Sequence, residues 1–271
     1  MFGSNPLSVN YRKKLFLKVG KVLPYKHEKR LSNLLKIVIG SHNAKIKGLW
    51  PLMEGSGSKA YGVRGGDMDA INNVTWGNEF IGANLFIHPL GSYFYSDAPN
   101  VKGISGASTI GWFTVWMGSP NWNGHLGSFA NNGYGANHAG QSIGGQPGSY
   151  STIAWPPARL DEYTGPLPPP SPPIKYVFRA RFTGGGTQIF SAWVNKTQAG
   201  AGAPRVGIAG PTSIVGATAI NERAALGQGG LSTFSNFSDT STYVHVVYAG
   251  VLSEKEHNRI VDALLEYSNG F

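Results

Sequence analysis

The stretch GLWPLMEGSGSKAYGVRGGDMDAINNVTW, residues 48–76, decides how the chain is read. It opens on a short apolar run around Trp50 and Pro51 and turns through Glu54-Gly55-Ser56-Gly57. A second Gly-rich turn, Gly62 to Gly66, then precedes a Thr-Trp pair. Glycines punctuating short apolar segments are the pattern of strands joined by tight turns. Further along, GASTIGWFTVWM, IKYVFRARF, TQIFSAWV and TYVHVVYAG repeat the theme, with β-branched and aromatic residues in alternation and Gly, Asn or Pro between the runs. Strands at this spacing build a sandwich or a barrel. In the last run Val244, Val246 and Tyr248 share one face, and His245 is expected on the other, facing outward.

The chain has 271 residues, enough for one large domain or two small ones, and its 38 glycines and 12% aromatic content favour many turns between short strands. Cysteine is absent, which excludes disulfides, thiolate metal centres and a Cys nucleophile.

Charge is unevenly placed. Residues 1–47 hold eleven Lys and Arg against one acid, Glu28, whereas the other twelve basic and thirteen acidic residues leave the rest close to neutral. The sequence therefore divides into a basic, helical N-terminal arm over 1–47 and a body over 48–271. Such an arm attracts nucleic acid, anionic membranes or acidic protein surfaces through forces that salt weakens; a solvated helical hairpin is the plainer alternative. Two helices are expected in it, Tyr11–Leu23 ended by Pro24 and His27–Ile39 stopped by Gly40. Leu31, Leu34, Leu35 and Val38 fall at helical spacing and form an apolar stripe that needs cover, from the body or from a partner. Lys18 and Lys21 interrupt the apolar run before it reaches the roughly 7–15 residues of an export signal, and no window elsewhere is apolar enough to span a bilayer.

A helix closes the chain. Ser253 with Glu256 three residues on is a capping box, and Ile260, Val261, Leu264 and Leu265 make a packing stripe through to Tyr267.

Residues 48–76 resemble the start of the laminin-G-like, concanavalin A-like lectin/glucanase modules: a Trp-Pro-Leu strand, a Glu-Gly-Ser-Gly turn, a Tyr, a Gly/Asn-rich turn and a Thr-Trp strand. Three further pieces follow in that family's order. FTVWM is similar to its central strand, YVFRARFTGGGTQIFSAWVNKTQAG to a hairpin with a Val-Asn turn, and VHVVYAGVLSEKEHNRIVDALLEY to its last strand and terminal helix. The resemblance covers about residues 48–271, with a poor match from Gly118 to Pro173. It implies an all-β fold, a two-sheet antiparallel jelly-roll sandwich with the basic helical arm in front and the short helix behind.

Departures from the family bear on function. Many members carry an acid where Gly62 stands, within a turn that helps bind calcium. Asp67, Asp69, Asn72 and Asn73 still offer hard oxygen donors there, so calcium is the one cofactor candidate, set against their ordinary role as turn formers. Enzymatic relatives use paired carboxylates at strand spacing, since a retaining glycosidase needs an acid and a nucleophile about 5 Å apart. Asp161-Glu162 lies between Pro-rich segments and Glu254 with Glu256 belongs to a helix cap, so no such cluster exists. There is likewise no Gly-x-Ser-x-Gly elbow, phosphate-binding loop or His-Glu-x-x-His motif. The expectation is a protein that is not an enzyme, with no catalytic residues.

The segment 118–173 is expected to form long loops. Its few charges, many amides and the side chains Trp122, Tyr134, Asn137, Tyr150 and Trp155 suit a glycan or partner contact surface, because flat aromatic faces match the C–H faces of sugar rings. The run GPLPPPSPP, Gly165–Pro173, cannot join a central strand and reads as an extended loop.

These features point to a virion structural component of a bacteriophage, made in the host cytoplasm, that displays a lectin-like sandwich as a capsid or tail decoration for binding host-surface glycans. Lys13, Lys14, Lys29 and Arg30 would be the charged anchor of the arm on capsid or tail proteins, and Leu31, Leu34, Leu35 and Val38 the apolar anchor, with self-association into a homo-oligomer compatible with this. The alternative is a free-standing cellular carbohydrate-binding module whose arm packs on the sandwich. A glycoside hydrolase or a nucleic-acid-binding protein fits less well.

Overall fold

The structure, a computed structural model, describes residues 25–42, 44–72, 74–77, 82–85, 93–96, 100–104, 107–118, 124–130, 140–146, 149–155, 161–166, 175–183, 187–201, 205–206, 223–226 and 240–270. Within them the chain is mostly β, with antiparallel sheets and two short α-helices. The strands are β1 (Ile46–Trp50), β2 (Lys59–Ala60), β3 (Met68–Ile71), β4 (Thr75–Trp76), β5 (Ala83–Leu85), β6 (Tyr93–Tyr95), β7 (Thr109–Gly118), β8 (Gly124–Ala130) and β9 (Gly140–Gln146). They continue with β10 (Ser149–Trp155), β11 (Asp161–Pro166), β12 (Tyr176–Thr183), β13 (Thr187–Val194), β14 (Thr197–Ala201), β15 (Arg205–Val206), β16 (Arg223–Ala225) and β17 (Thr240–Ala249). The helices are α1 (Tyr25–Leu35) and α2 (Glu254–Ser268).

The largest sheet runs β14-β13-β12-β7-β17, after which the far edge of β17 is shared. Residues Thr240–Thr242 pair with β5, and through it β4, while His245–Tyr248 pair with β1. The four β-rich runs of the sequence are thus β7, β12, β13 and β17, and the Val-Asn hairpin is real. Asn195 takes the left-handed conformation that Asn tolerates, and its side chain accepts the Val177 amide at 2.9 Å.

Register across this sheet sorts its side chains into two faces. On one, Leu49, Val246, Phe113, Arg179 and Trp193 stand in a transverse row across β1, β17, β7, β12 and β13. That face carries both helices, and its core includes Leu31, Leu34, Leu35, Val38, Ile39, Val115, Val177, Ile260, Val261, Leu264 and Tyr267. On the other face Trp50, His245, Thr114 and Phe178 form the adjacent row, and all four are also fully buried. The expectation that His245 faces outward is therefore corrected: it lies on the predicted face, but that face is covered as well. Its Nδ1 sits 2.8 Å from Thr114 Oγ1, and burial pushes its pKa down to about 3.

Three further expectations are revised. The expected helix His27–Ile39 begins at Tyr25 and is α-helical to Leu35. It then widens into a π-helical turn, Lys36–Gly40, in which the Ser41 amide reaches back to the Lys36 carbonyl at 3.1 Å. The wider turn keeps both Val38 and Ile39 buried. Residues 118–173 are not simply loops, since β8 to β11 lie there as successive antiparallel strands of a second sheet, ordered β11-β10-β9-β8-β16. Gly165 and Pro166 join β11, an edge strand, where a missing proline amide costs least.

The third revision concerns the arm. Leu31, Leu34, Leu35 and Val38 are each 0% exposed against α2 and the large sheet, so the apolar stripe is spent on the chain's own core and cannot seat on a partner. The Arg30 guanidinium, offered as an anchor charge, instead donates to the Gly270 carbonyl just beyond α2. Lys45 continues the junction, its ammonium 2.6 and 2.8 Å from the two carboxylate oxygens of Glu256. That same Glu256 completes the expected capping box with Ser253, whose hydroxyl accepts the Glu256 amide at 3.3 Å while Glu256 accepts the Ser253 amide at 2.7 Å. Burial would raise the Glu256 carboxyl, but the hydrogen bonds from Lys45 and Ser253 outweigh it and hold its pKa down at about 2. Lys29 is exposed. Lys13, Lys14 and the expected helix Tyr11–Leu23 lie outside the described residues.

Because Leu34 is a core residue, Leu34→Ala is expected to cost about 2–5 kcal/mol of stability in chemical denaturation. A surface anchor at that position would leave the midpoint unchanged.

Candidate functional site

The turn that follows β1 is organised by one tryptophan and two carboxylates. Trp50 is fully buried and donates from Nε1 to the Gly66 carbonyl at 2.8 Å, while Leu49 exchanges backbone hydrogen bonds with Val63 and Arg64. Its ring leaves no room for a side chain at Gly48, where a Cβ would stand 2.4 Å from ring carbons. Glu54 is 3% exposed and takes the Tyr61 amide at 2.7 Å; Asp67 takes the next amide, Gly62, at 3.1 Å. Two acids therefore brace consecutive amides of one loop. Burial, reinforced by the neighbouring Asp67 charge, outweighs these backbone hydrogen bonds and raises the Glu54 pKa to about 7.

That geometry bears on the calcium residues. A Cβ at Gly62 would come within 2.8 Å of the carbonyl oxygens of both Gly65 and Gly66, which is why an acid has no place there. Asp67 is engaged with the Gly62 amide, and Asp69 is ion-paired with Lys59 at 2.5 Å across β2 and β3. Asn72 sits in the left-handed region, as a turn former does. Asp67 thus braces the loop, Asp69 stands on β3 and Asn72 follows that strand; among the described residues no group of three or more His, Cys, Asp or Glu is placed to hold a metal ion, and Asn73 lies outside the described residues.

Of the proposed contact residues, Tyr150 and Trp155 lie at the two ends of β10, on strand rather than loop, with side chains outside what is described. Trp122, Tyr134 and Asn137 are outside the described residues altogether.

A different site emerges on the helix-bearing face, at the β12–β13 end of the sheet. Arg179, Arg181, Trp193, Lys196, Leu252, Glu254 and His257 line a pocket of about 370 Å³ beside the first turn of α2. Arg179 is 2% exposed, yet among the described residues its guanidinium has no carboxylate partner. Its Nε donates to the Tyr248 hydroxyl at 2.9 Å, and the group lies 4.3 Å from the Trp193 ring centroid, with Phe113 and Tyr248 slightly further off. Arg181 lies 4.9 Å from the Trp193 centroid and reaches Ser191 Oγ at 3.2 Å. His257 is buried against Phe113, ring centroids 5.8 Å apart, and burial together with the Arg179 charge depresses its pKa to about 4. Its ring is thus neutral near pH 7, leaving the cationic character of the pocket to Arg179, Arg181 and Lys196, the last 2.6 Å from Asp262. Composition did not point here, but periodicity could have: in YVFRARF both arginines fall on the same strand face as Val177, a charged pair on a core-facing row.

Neither protein-family models nor curated proteins match this chain. Solved structures do. A Trypanosoma rangeli sialidase in complex with sialic acid superposes with TM-score 0.57 at 15% identity, over 80% of this chain and 33% of the sialidase. Botulinum neurotoxin type C, whose passage into cells is described as dependent on interaction with two ganglioside molecules, gives TM-score 0.56 at 10% identity over 83% of this chain and 53% of the toxin chain. A structure described as a receptor-binding domain gives TM-score 0.56 at 11% identity over 83% and 52%. The chain thus spans about a third of the sialidase and half of the toxin structures, and at these identities the likeness concerns the fold alone, mostly β with antiparallel sheets.

Glu54 binds its proton more tightly when folded than unfolded, so its contribution to stability falls as pH rises from about 4.5 to about 7. Glu54→Gln, which keeps an acceptor for the Tyr61 amide, is expected to match the wild-type protein at pH 4 and exceed it in stability at pH 8. Equal denaturation midpoints at both pH values would show that Glu54 is not a buried, near-neutral acid.

Proposed function

We propose that this protein is a non-enzymatic, concanavalin A-like jelly-roll module that recognises carbohydrate. The observation that carries this reading is architectural. The first strand β1 pairs with the last strand β17, which runs into a terminal helix, as the motif order of the sequence requires, and the likeness covers about four-fifths of the chain. The neighbours' associations with sialic acid and gangliosides support a glycan as the ligand class. The absence of an enzymatic role is argued from the acids. Glu54 and Asp67 brace a turn, and Glu256 caps a helix, so none of these three is free to act across a glycosidic bond.

Two settings for such a module follow from the sequence, a phage virion component anchored by its arm and a free-standing carbohydrate-binding module. Burial of Leu31, Leu34, Leu35 and Val38 favours the second, because the arm packs on its own body. The virion setting rests on the basic sequence before Tyr25, with Lys13 and Lys14 as its contacts to capsid or tail proteins. Among the described residues no helix is long and apolar enough to cross a membrane.

The test is an array of bacterial and host-type glycans probed with the full chain, with and without calcium, since removing residues 1–47 would strip the core. Saturable binding is expected, weakened about tenfold or more by Trp155→Ala or Trp122→Ala, as loss of an aromatic platform implies. A folded chain that binds no glycan on the array would defeat the proposal.

A further inference from the structure

A buried arginine carries a large desolvation cost that proteins ordinarily offset with a carboxylate. Here two arginines stand two residues apart on one face of β12, and among the described residues neither makes an ion pair. Aromatic faces and two hydroxyl groups offset part of the cost, and the remainder is visible. Arg179 Nη2 and Arg181 Nε are both buried without a hydrogen-bond acceptor. Register explains the space beside them. Arg181 is flanked in its row by Gly111 on β7 and Ser191 on β13, so no large side chain closes over it from either neighbouring strand. The pocket opens between this row and the start of α2, with Lys196 contributing a third cation and Glu254 the one acid among its lining residues.

We propose that this pocket binds an oxyanion, the carboxylate or sulfate of an acidic sugar, held by the guanidinium groups of Arg179 and Arg181. The choice of a sugar as the carrier rests on the carbohydrate-binding reading above; the oxyanion site itself does not. An arriving carboxylate accepts the N–H groups that now have no acceptor and offsets the repulsion between two adjacent like charges. A neutral oxygen can accept those N–H groups as well, but only an anion also offsets the repulsion, and its hydrogen bonds to the guanidinium groups are the stronger. Burial, with the neighbouring Arg179 charge adding to it, lowers the pKa of Arg181. With His257 neutral, the positive charge of the pocket lining lies on Arg179, Arg181 and Lys196.

The test uses the full chain and separates the site from the sugar. Thermal unfolding is followed in sodium sulfate against sodium chloride at matched ionic strength, and calorimetry compares methyl glucuronide, free sulfate and methyl glucoside. Arg181→Gln is the main variant, because the position is half-buried and adjoins small residues. Arg179→Lys is the second, since it keeps the charge while losing the planar fork. The expected result is saturable stabilisation by sulfate, binding of glucuronide but not glucoside, and a loss of about 10–100-fold in glucuronide affinity in Arg181→Gln, as removal of a charge-assisted hydrogen-bonding group implies. Equal sulfate stabilisation of the wild-type protein and Arg181→Gln overturns the site, as does the absence of any sulfate effect. Glucuronide binding that is indifferent to both variants overturns the site while leaving the carbohydrate reading intact. Sulfate binding lost in Arg181→Gln, without glucuronide binding, upholds the oxyanion site and overturns its sugar.

Discussion

Trp50 holds the first strand and the first turn to each other, and the rest of the structure is assembled around that contact. Its ring requires a glycine at position 48, its indole nitrogen fixes the Gly66 carbonyl, and its neighbour Leu49 pairs with Val63 and Arg64. The strand so fixed then pairs with β17, placing Trp50 opposite His245 on one face and Leu49 opposite Val246 on the other. One residue thereby sets which side of β1 meets the helices, and a slip of one position would reverse both faces at once.

The large sheet is buried on both sides, which is unusual for an antiparallel sheet and explains its polar passengers. His245 is kept neutral by burial and meets Thr114 through Nδ1, while its Nε2 is buried without a hydrogen-bond partner. Arg179 is kept in the core by the faces of Trp193, Phe113 and Tyr248 and by the Tyr248 hydroxyl. Along one row the sheet passes from Leu49 through Val246 and Phe113 to Arg179, from purely apolar packing to a cation among aromatic rings. The fold spends its hydrophobic driving force at the β1 end of that row and places its polar chemistry at the other.

Much of this was legible in the sequence because the relevant signals are local. Alternation located β7, β12, β13 and β17, and the Ser253–Glu256 spacing gave the start of α2. Helical spacing gave the buried stripe of α1. What covers that stripe was not legible, since a periodic pattern records that a face is apolar and not what lies against it. Within 118–173, GQSIGGQ in β9 is short of the β-branched and aromatic residues that announce a strand, whereas SYSTIAW in β10 carries them, but Tyr150 and Trp155 read equally well as loop contact residues. The arginine pocket was missed for a related reason. Its signal in the sequence is two charges in phase with a buried valine, which neither acids nor loop aromatics carry.

The placement of α1 carries a consequence for how the molecule is made. Its leucines are covered by α2 and by a sheet centred on β17, which emerge more than two hundred residues later in synthesis. At about 5–20 residues per second the stripe waits on the order of ten to fifty seconds at the ribosome before α2 and β17 complete its cover. A chain built this way cannot finish its core piecemeal from the front. The helix α1 is a natural client for a chaperone, and completion of the core is gated by the last segments to appear.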